Sequence, residues 1–251
     1  LMSRLLKPIE DSCALYVDDV AIYSSSFDKI VTVFRTALQI MSANNIKLLP
    51  HKTSLLPKAI KFLGIEWNKT GILSIPRAKI QAFSNWPTPL NTRKKIQSFC
   101  SAVQFFRKFI EDLSGKMKPL TEMLRKDKQI QWNEKAENAF KSIIEAMEKN
   151  VKLYVPHPGC TFKLHCDASK YAAAARLCFI DKDNVERLVA CSSRTFSETA
   201  SKYSTFHQEL LGLIFAIRSF EGYIAFSKCV IYLDCISLTY LSLTKNSTPS
   251  I

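Results

Sequence analysis

The sequence predicts an α/β fold of the α+β kind, in which hairpins, a block of helices and a mixed sheet follow one another. Three observations carry this. Residues 14–24, ALYVDDVAIYS, alternate by twos on either side of an acidic pair, the period of a strand that turns and returns. From Pro76 the texture changes to helical stripes punctuated by Pro87, Pro89 and Pro119. Beyond YVPHPG (154–159), which reads as a linker, three strand-like runs, an apolar helix pattern and a fourth strand succeed one another, the succession of an α/β layer. These changes divide the chain into 1–75, 76–150 and 151–251.

In the first segment, Leu15 and Val17 oppose Tyr16, and Val20 and Ile22 oppose Ala21 and Tyr23, which gives strand, acidic turn and strand. The next stretch places Ile30, Val33, Phe34, Ala37, Leu38 and Met41 on one stripe of a helix. Ser25 with Asp28 forms a capping box at its start, and Asn44-Asn45 marks its stop. AIKFLGIEWNKTGILSIP reads as a hairpin turning at Asn68 to Gly71. In the second segment, residues 92–110 put Ile96, Phe99, Val103, Phe106 and Ile110 on one face of a helix. Lys94, Gln97, Ser101, Gln104 and Lys108 fall on the other. A further helix runs from Glu134 to Lys149. In the third segment, CTFKLHCDAS, AARLCFID and ERLVACSSRTF read as strands. A helix follows over about 200–220, then the strand KCVIYLDC.

The net charge of +13 over 251 residues points to a polyanionic partner, above all nucleic acid. The excess is concentrated: residues 76–128 hold 12 Lys and Arg against 4 Asp and Glu. The 8 cysteines contain no Cys-x-x-Cys pair and no His at finger spacing, which argues against a zinc module and for reduced thiols in an intracellular protein. No apolar run approaches the roughly 20 residues that span a bilayer, so no membrane partner is expected. The chain opens Leu1-Met2 and reads as a piece of something longer.

Several acids stand where apolar neighbours dominate. Asp18 and Asp19 repel each other within a strand-like run, and no basic residue lies between Asp11 and Lys29. Burial of such a pair needs a cation, and Mg²⁺ suits carboxylate oxygens; a solvent-facing Asp-Asp turn is the alternative. In FKLHCDAS, Phe162, Leu164 and Cys166 share one face while His165 and Asp167 take the other. Asp234 ends an apolar strand on the face of Val230 and Tyr232. Glu209 falls on or beside the apolar stripe of its helix, between Phe206 and Leu213. Read singly, these are a turn cap, a strand-end acid and an edge residue. Read together, they are three acids able to converge on divalent metals for phosphodiester hydrolysis.

At this point the chain resembles the reverse transcriptase and ribonuclease H region of gypsy-like long-terminal-repeat retrotransposon Pol polyproteins. YVDD resembles the metal-binding hairpin of the polymerase palm, and KFLGIEWNKTGILSIP the primer-gripping hairpin that includes Trp67. NWPTPLNTRKKIQSFCSAVQFFRKFIEDLSGKMKPLTEMLRK is similar, nearly phrase for phrase, to the family's helical thumb. HCDASKYAAAARL, SSRTFSETASKYSTFHQELLGLIFAIRSFEGYI and IYLDCISLTYL resemble ribonuclease H blocks. The resemblance implies a partial palm, a helical thumb or connection, and an incomplete ribonuclease H-like mixed sheet. It implies Asp18 and Asp19 as polymerase metal-site acids, with Asp18 the direct ligand. Asp167, Glu209 and Asp234 become nuclease metal ligands, with Mg²⁺ or Mn²⁺ as cofactor. Lys94, Gln97, Lys108 and Trp67 become nucleic-acid contacts. The implied partners are an RNA or DNA template-primer and an RNA–DNA hybrid, with deoxynucleoside triphosphates serving the full-length enzyme.

The chain also departs from the family pattern. Only 17 residues precede Asp18, so a third palm carboxylate and the fingers are expected to lie outside it, and the chain alone is not expected to extend a primer. Ala172 to Ala175 stand where the family carries glycines, and any turn needing positive φ there would be strained. Cys235-Ile236 replaces a His-Lys pair, and the last helix, last strand and fourth nuclease acid are missing. A non-catalytic nucleic-acid-binding remnant is the competing reading.

Overall fold

A computed structural model describes residues 2–125 and 128–234 and divides the chain into two compact units, Leu1–Lys69 and Thr70–Ile251. In the first unit, a short helix α1 (Met2–Leu5) and a 3-10 segment (Lys7–Ser12) lead into β1 (Cys13–Tyr16) and β2 (Asp19–Ile22). These two strands pair antiparallel with Tyr16 opposite Asp19. Helix α2 (Phe27–Ala43) lays Val33, Ala37 and Met41 against Leu6 and Ile9, with Leu15, Val20 and Ile22 at the margin. Its cap is Ser26, whose hydroxyl accepts from the Lys29 N–H, one residue later than the Ser25 that the capping-box spacing selects. Asn44 and the left-handed Asn45 (φ 55°) end it as predicted.

The region read as one hairpin contains two turns. Strands β3 (Ala59–Phe62) and β4 (Ile65–Asn68) pair antiparallel around Leu63 (φ 51°) and Gly64 (φ 71°). Positive φ at both central positions is the tight hairpin geometry that usually selects Asn-Gly, and a leucine in the first position hides the signal. The predicted turn at Asn68 to Gly71 is the second one. Gly71 (φ 76°) leads into β5 (Ile72–Ser74) of the second unit.

The second unit begins with helices. α3 (Arg77–Ser84), α4 (Arg93–Gln104), α5 (Leu113–Glu122) and α6 (Glu134–Glu148) enclose a cluster in which Phe83, Trp86, Phe99, Phe106 and Phe140 meet edge-on or stacked. The predicted stripe Ile96, Phe99, Val103, Phe106 and Ile110 is buried throughout. The helix itself stops at Gln104, and a 3-10 turn over Arg107–Phe109 carries the last part of the stripe. Arg93 is spent on structure: its guanidinium donates to the carbonyls of Leu124, Arg125 and Lys128 at 2.7, 2.9 and 2.9 Å, supplying the donors that a helix end lacks.

The stretch YVPHPG is tied down at its start. Leu153 and Tyr154 form β6, paired antiparallel with Leu73 and Ile72 of β5. Four strands then build a sheet in the order β10-β7-β8-β9, from β7 (Phe162–Ala168), β8 (Ala172–Ile180), β9 (Glu186–Thr195) and β10 (Cys229–Leu233). β10 runs parallel to β7 and the other neighbours are antiparallel. Helix α7 (Thr205–Ile224), capped by Ser204, crosses over between β9 and β10. Its Ala216 and Phe220 pack on Leu164, Cys166, Ala175 and Leu177. Ala172–Ala175 lie in extended β8 with no positive φ among them, so the strain anticipated there does not arise. Cys235 and Ile236 lie outside the described residues.

Candidate functional site

Two groups of acids stand out. At the tip of the β1–β2 hairpin, Val17 and Asp18 form a two-residue turn and Asp19 opens the return strand. Both carboxylates are exposed. Burial therefore does not force a cation on this pair, and the solvent-facing acidic turn is the arrangement observed. The unusual feature is Val17, a β-branched residue 72% exposed at φ 53°, a region such residues rarely occupy.

The second group lies at one end of the mixed sheet. In the parallel register, Leu233 of β10 sits opposite Cys166 of β7, so Asp234 and Asp167, the next residue on each strand, leave adjacent strand ends side by side. Glu209 approaches from α7. A Cβ on Gly212, one turn further along the helix, would lie 3.1 Å from the Ala168 Cβ and 3.6 Å from that of Ala173. Only a residue without a side chain lets the helix approach the strand ends so closely. Glu209 is 7% exposed, in a helix turn whose neighbour Gln208 donates through its side-chain Nε2 to the carbonyls of Ala200 and Ser201. Among the described residues, none of the three carboxylates is hydrogen-bonded or ion-paired. Burial, then the charges of Asp167 and Asp234, push the Glu209 carboxyl above its ordinary range. Glu209 thus lies within electrostatic reach of two acids distant from it in sequence, Asp167 and Asp234.

Two participants escaped the sequence reading. Gly212 is one. The other is Asp112, the left-handed N-cap of α5 (φ 45°), whose carboxylate accepts from the Gly115 N–H at 3.1 Å. Its carboxyl is raised chiefly by burial, with Asp167 and Glu111 adding to the effect against the Gly115 bond and Lys116. Asp112 thus senses Asp167 from a helix that β9 holds in place, through the Ser114 N–H donating to the Ser193 hydroxyl at 2.9 Å. An Asp-x-x-Gly cap was the available signal, but it speaks of a helix start and not of a neighbour.

Of the expected nucleic-acid contacts, Lys94 and Gln97 on α4 and Lys108 in the following 3-10 turn are all exposed. Trp67 on β4 is half-buried, and its indole Nε1 is buried without a hydrogen-bond partner.

Comparison with known proteins shows what the chain is similar to. Residues 1–67 match the model for reverse transcriptase (RNA-dependent DNA polymerase), and residues 132–231 the model for the RNase H-like domain found in reverse transcriptase. Similar curated proteins include the retrovirus-related Pol polyproteins of the Drosophila melanogaster transposons opus and gypsy. Opus is 28% identical over 91% of this chain, and gypsy 26% identical over 98%. The enzymatic polyprotein of figwort mosaic virus is 27% identical over 95% of the chain and 36% of the virus protein. Among solved structures, a foamy viral protease-reverse transcriptase in complex with double-stranded DNA matches with a TM-score of 0.81 at 21% identity, over 97% of this chain and 42% of that one. The same kind of enzyme with an RNA/DNA hybrid matches at 0.78 and 20% identity, over 97% and 33%. The chain thus carries a stretch similar to reverse transcriptase followed by one similar to the RNase H-like domain found in reverse transcriptase. Over most of its length it is similar to retrotransposon Pol polyproteins, and it spans 24% of the length of both the opus and gypsy proteins.

Proposed function

We propose that Asp167, Glu209 and Asp234 form the metal centre of a nuclease acting on the RNA strand of an RNA–DNA hybrid. Asp18 and Asp19 are then the polymerase acids of a longer Pol polypeptide that uses a template-primer and deoxynucleoside triphosphates. The observation that most favours this reading is Glu209, a buried carboxylate with two acids within electrostatic reach and, among the described residues, no ion-pair partner. Like charges at that separation are costly to keep ionised together, and an all-oxygen donor set suits Mg²⁺ or Mn²⁺ better than softer ions. Bound there, divalent ions supply an activated water and stabilise the leaving oxygen. The chain's own contribution is placement: two strand ends present carboxylates in register, and a helix held close by Gly212 presents the third. Lys94, Gln97 and Lys108 would contact phosphates in a sequence-independent and salt-sensitive manner, and Trp67 would meet the primer strand.

The test is Mn²⁺ titration of the whole chain followed by electron paramagnetic resonance, with hybrid binding measured alongside. Asp167→Asn and Glu209→Gln should each weaken Mn²⁺ binding at least tenfold. Undiminished Mn²⁺ binding in both variants, with hybrid still bound, would leave a non-catalytic nucleic-acid-binding protein in place of a nuclease.

A further inference from the structure

The sheet face turned away from α7 carries a second cluster of metal-type donors. We propose that His165, Cys178 and Glu186 form a site for a zinc-class divalent cation, separate from the carboxylate centre. His165 and Lys163 alternate away from Leu164 and Cys166, which pack on the helix side. Cys178 is paired with Lys163 across the ladder, and Glu186 opens β9 opposite Ile180. One donor atom from each of His165, Cys178 and Glu186 lies within 4.8 Å of the others. Nε2 of His165 is 2.9 Å from one Glu186 oxygen, and Lys163 Nζ is 3.2 Å from the other. The imidazole is held in plane by Tyr232, stacked at 4.7 Å and 12°.

An ordinary His–Glu ion pair accounts for the 2.9 Å contact. The Cys178 thiol also hydrogen-bonds the Glu186 carboxylate, so Glu186 gathers an imidazole and a thiol at one point, and neither contact accounts for the space beside it. A cavity of about 230 Å³ opens on Cys178 and Glu186 and is also lined by Cys191 and Arg176. It leaves a fourth position open for water. Metal–ligand bonds of roughly 2.0–2.3 Å put tetrahedral donors about 3.5 Å apart. The His–Glu pair must therefore open slightly and the thiol draw in from within 4.8 Å, movements that side-chain rotation supplies. One nitrogen, one sulfur and one oxygen favour zinc over magnesium, and thiolate plus carboxylate neutralise a divalent ion. Burial, then the hydrogen bond to Glu186, pushes the Cys178 thiol up to about 12, so it is protonated without metal. Binding breaks the S–H bond, forms the S–metal bond and releases the proton to solvent. Because the donors come from three strands, no local spacing announces them, and the finger-type patterns absent from the sequence are not required.

Addition of Co²⁺ alone to the whole reduced chain should produce a thiolate-to-cobalt charge-transfer band that Zn²⁺ abolishes. Cys178→Ser should remove the band. His165→Gln, at a half-exposed position where folding is less at stake, should weaken Co²⁺ binding at least tenfold. Asp167→Asn should leave the band in place. Absence of the band in the native chain, or its persistence in Cys178→Ser, overturns the proposal, as does its loss in Asp167→Asn with His165→Gln unaffected. Failure of Mn²⁺ to bind the carboxylates would not touch it.

Discussion

The hairpin acids and the sheet-end acids are built in different ways. Asp18 and Asp19 are neighbours in sequence, held by a two-residue turn and exposed to solvent. Their proximity costs the fold little, and local geometry alone creates it. Asp167, Glu209 and Asp234 come from two strands and a helix, and the middle one is buried without a partner. Their proximity is a tertiary property maintained against repulsion. Natural folds keep such arrangements at functional positions, where a local cost is offset elsewhere. The hairpin pair should therefore tolerate perturbation of the surrounding fold, while the triad should respond to any change that moves α7 relative to the sheet.

The most severe change is Gly212→Val. The added methyls would meet the Cβ atoms of Ala168 and Ala173, fixed points on strands that cannot swing aside. Overpacking of this kind costs about 2–3 kcal/mol, which urea unfolding will register as a lower midpoint. Mn²⁺ binding at the carboxylates should fall in the same variant because Glu209 is lifted away. Normal stability in Gly212→Val would show that the close helix–strand approach is not what positions the triad.

Glu209→Gln should have the opposite sign on stability. The carboxyl is raised in the folded state above its ordinary value of 4.5. Below pH 4.5 it is largely protonated whether folded or unfolded, and contributes nothing. As pH rises, the unfolded chain ionises first and folding loses stability, until the folded carboxyl also ionises and the full penalty is reached. At neutral pH the amide should therefore stabilise by about 1 kcal/mol, a rise of about 2–4 °C in Tm. The advantage should fade as pH falls toward 4.5. Mn²⁺ should raise the Tm of the native chain more than that of the variant. A destabilised Glu209→Gln at neutral pH would mean that the carboxylate has a partner and that repulsion is not its dominant interaction.

What the sequence made legible follows the same division between local and tertiary. The β1–β2 hairpin, α2, α6 and the succession of strands and helix along the last segment rest on periods of two or 3.6 residues, which neighbours alone express. The buried stripe of α4 was readable for the same reason. The turn at Leu63–Gly64 was not, because leucine carries no turn signal. The pairing of Tyr154 with Ile72 was hidden too, since a Pro- and Gly-bearing stretch looks like linker whether or not a distant strand captures it. At the site, the anomaly of Glu209 on a greasy helix was visible, but its burial and its neighbours were not. Asp112 and the His165–Cys178–Glu186 cluster were invisible for that reason, as each depends on elements joined only by folding.

The smallest effect belongs to the hairpin. Val17 sits at φ 53°, where a residue bearing a Cβ pays about 1–2 kcal/mol. Because it is 72% exposed, truncation removes almost no packing. Val17→Gly relieves the strain but adds about 0.5–1 kcal/mol of backbone freedom to the unfolded chain. The net gain should be about 0.5 kcal/mol, read as a slightly higher urea midpoint with the slope unchanged. Val17→Asn, which tolerates the left-handed region better than valine, should move in the same direction. A loss of stability in both variants would show that the valine side chain is held by contacts, and the hairpin tip would then share the tertiary character of the triad.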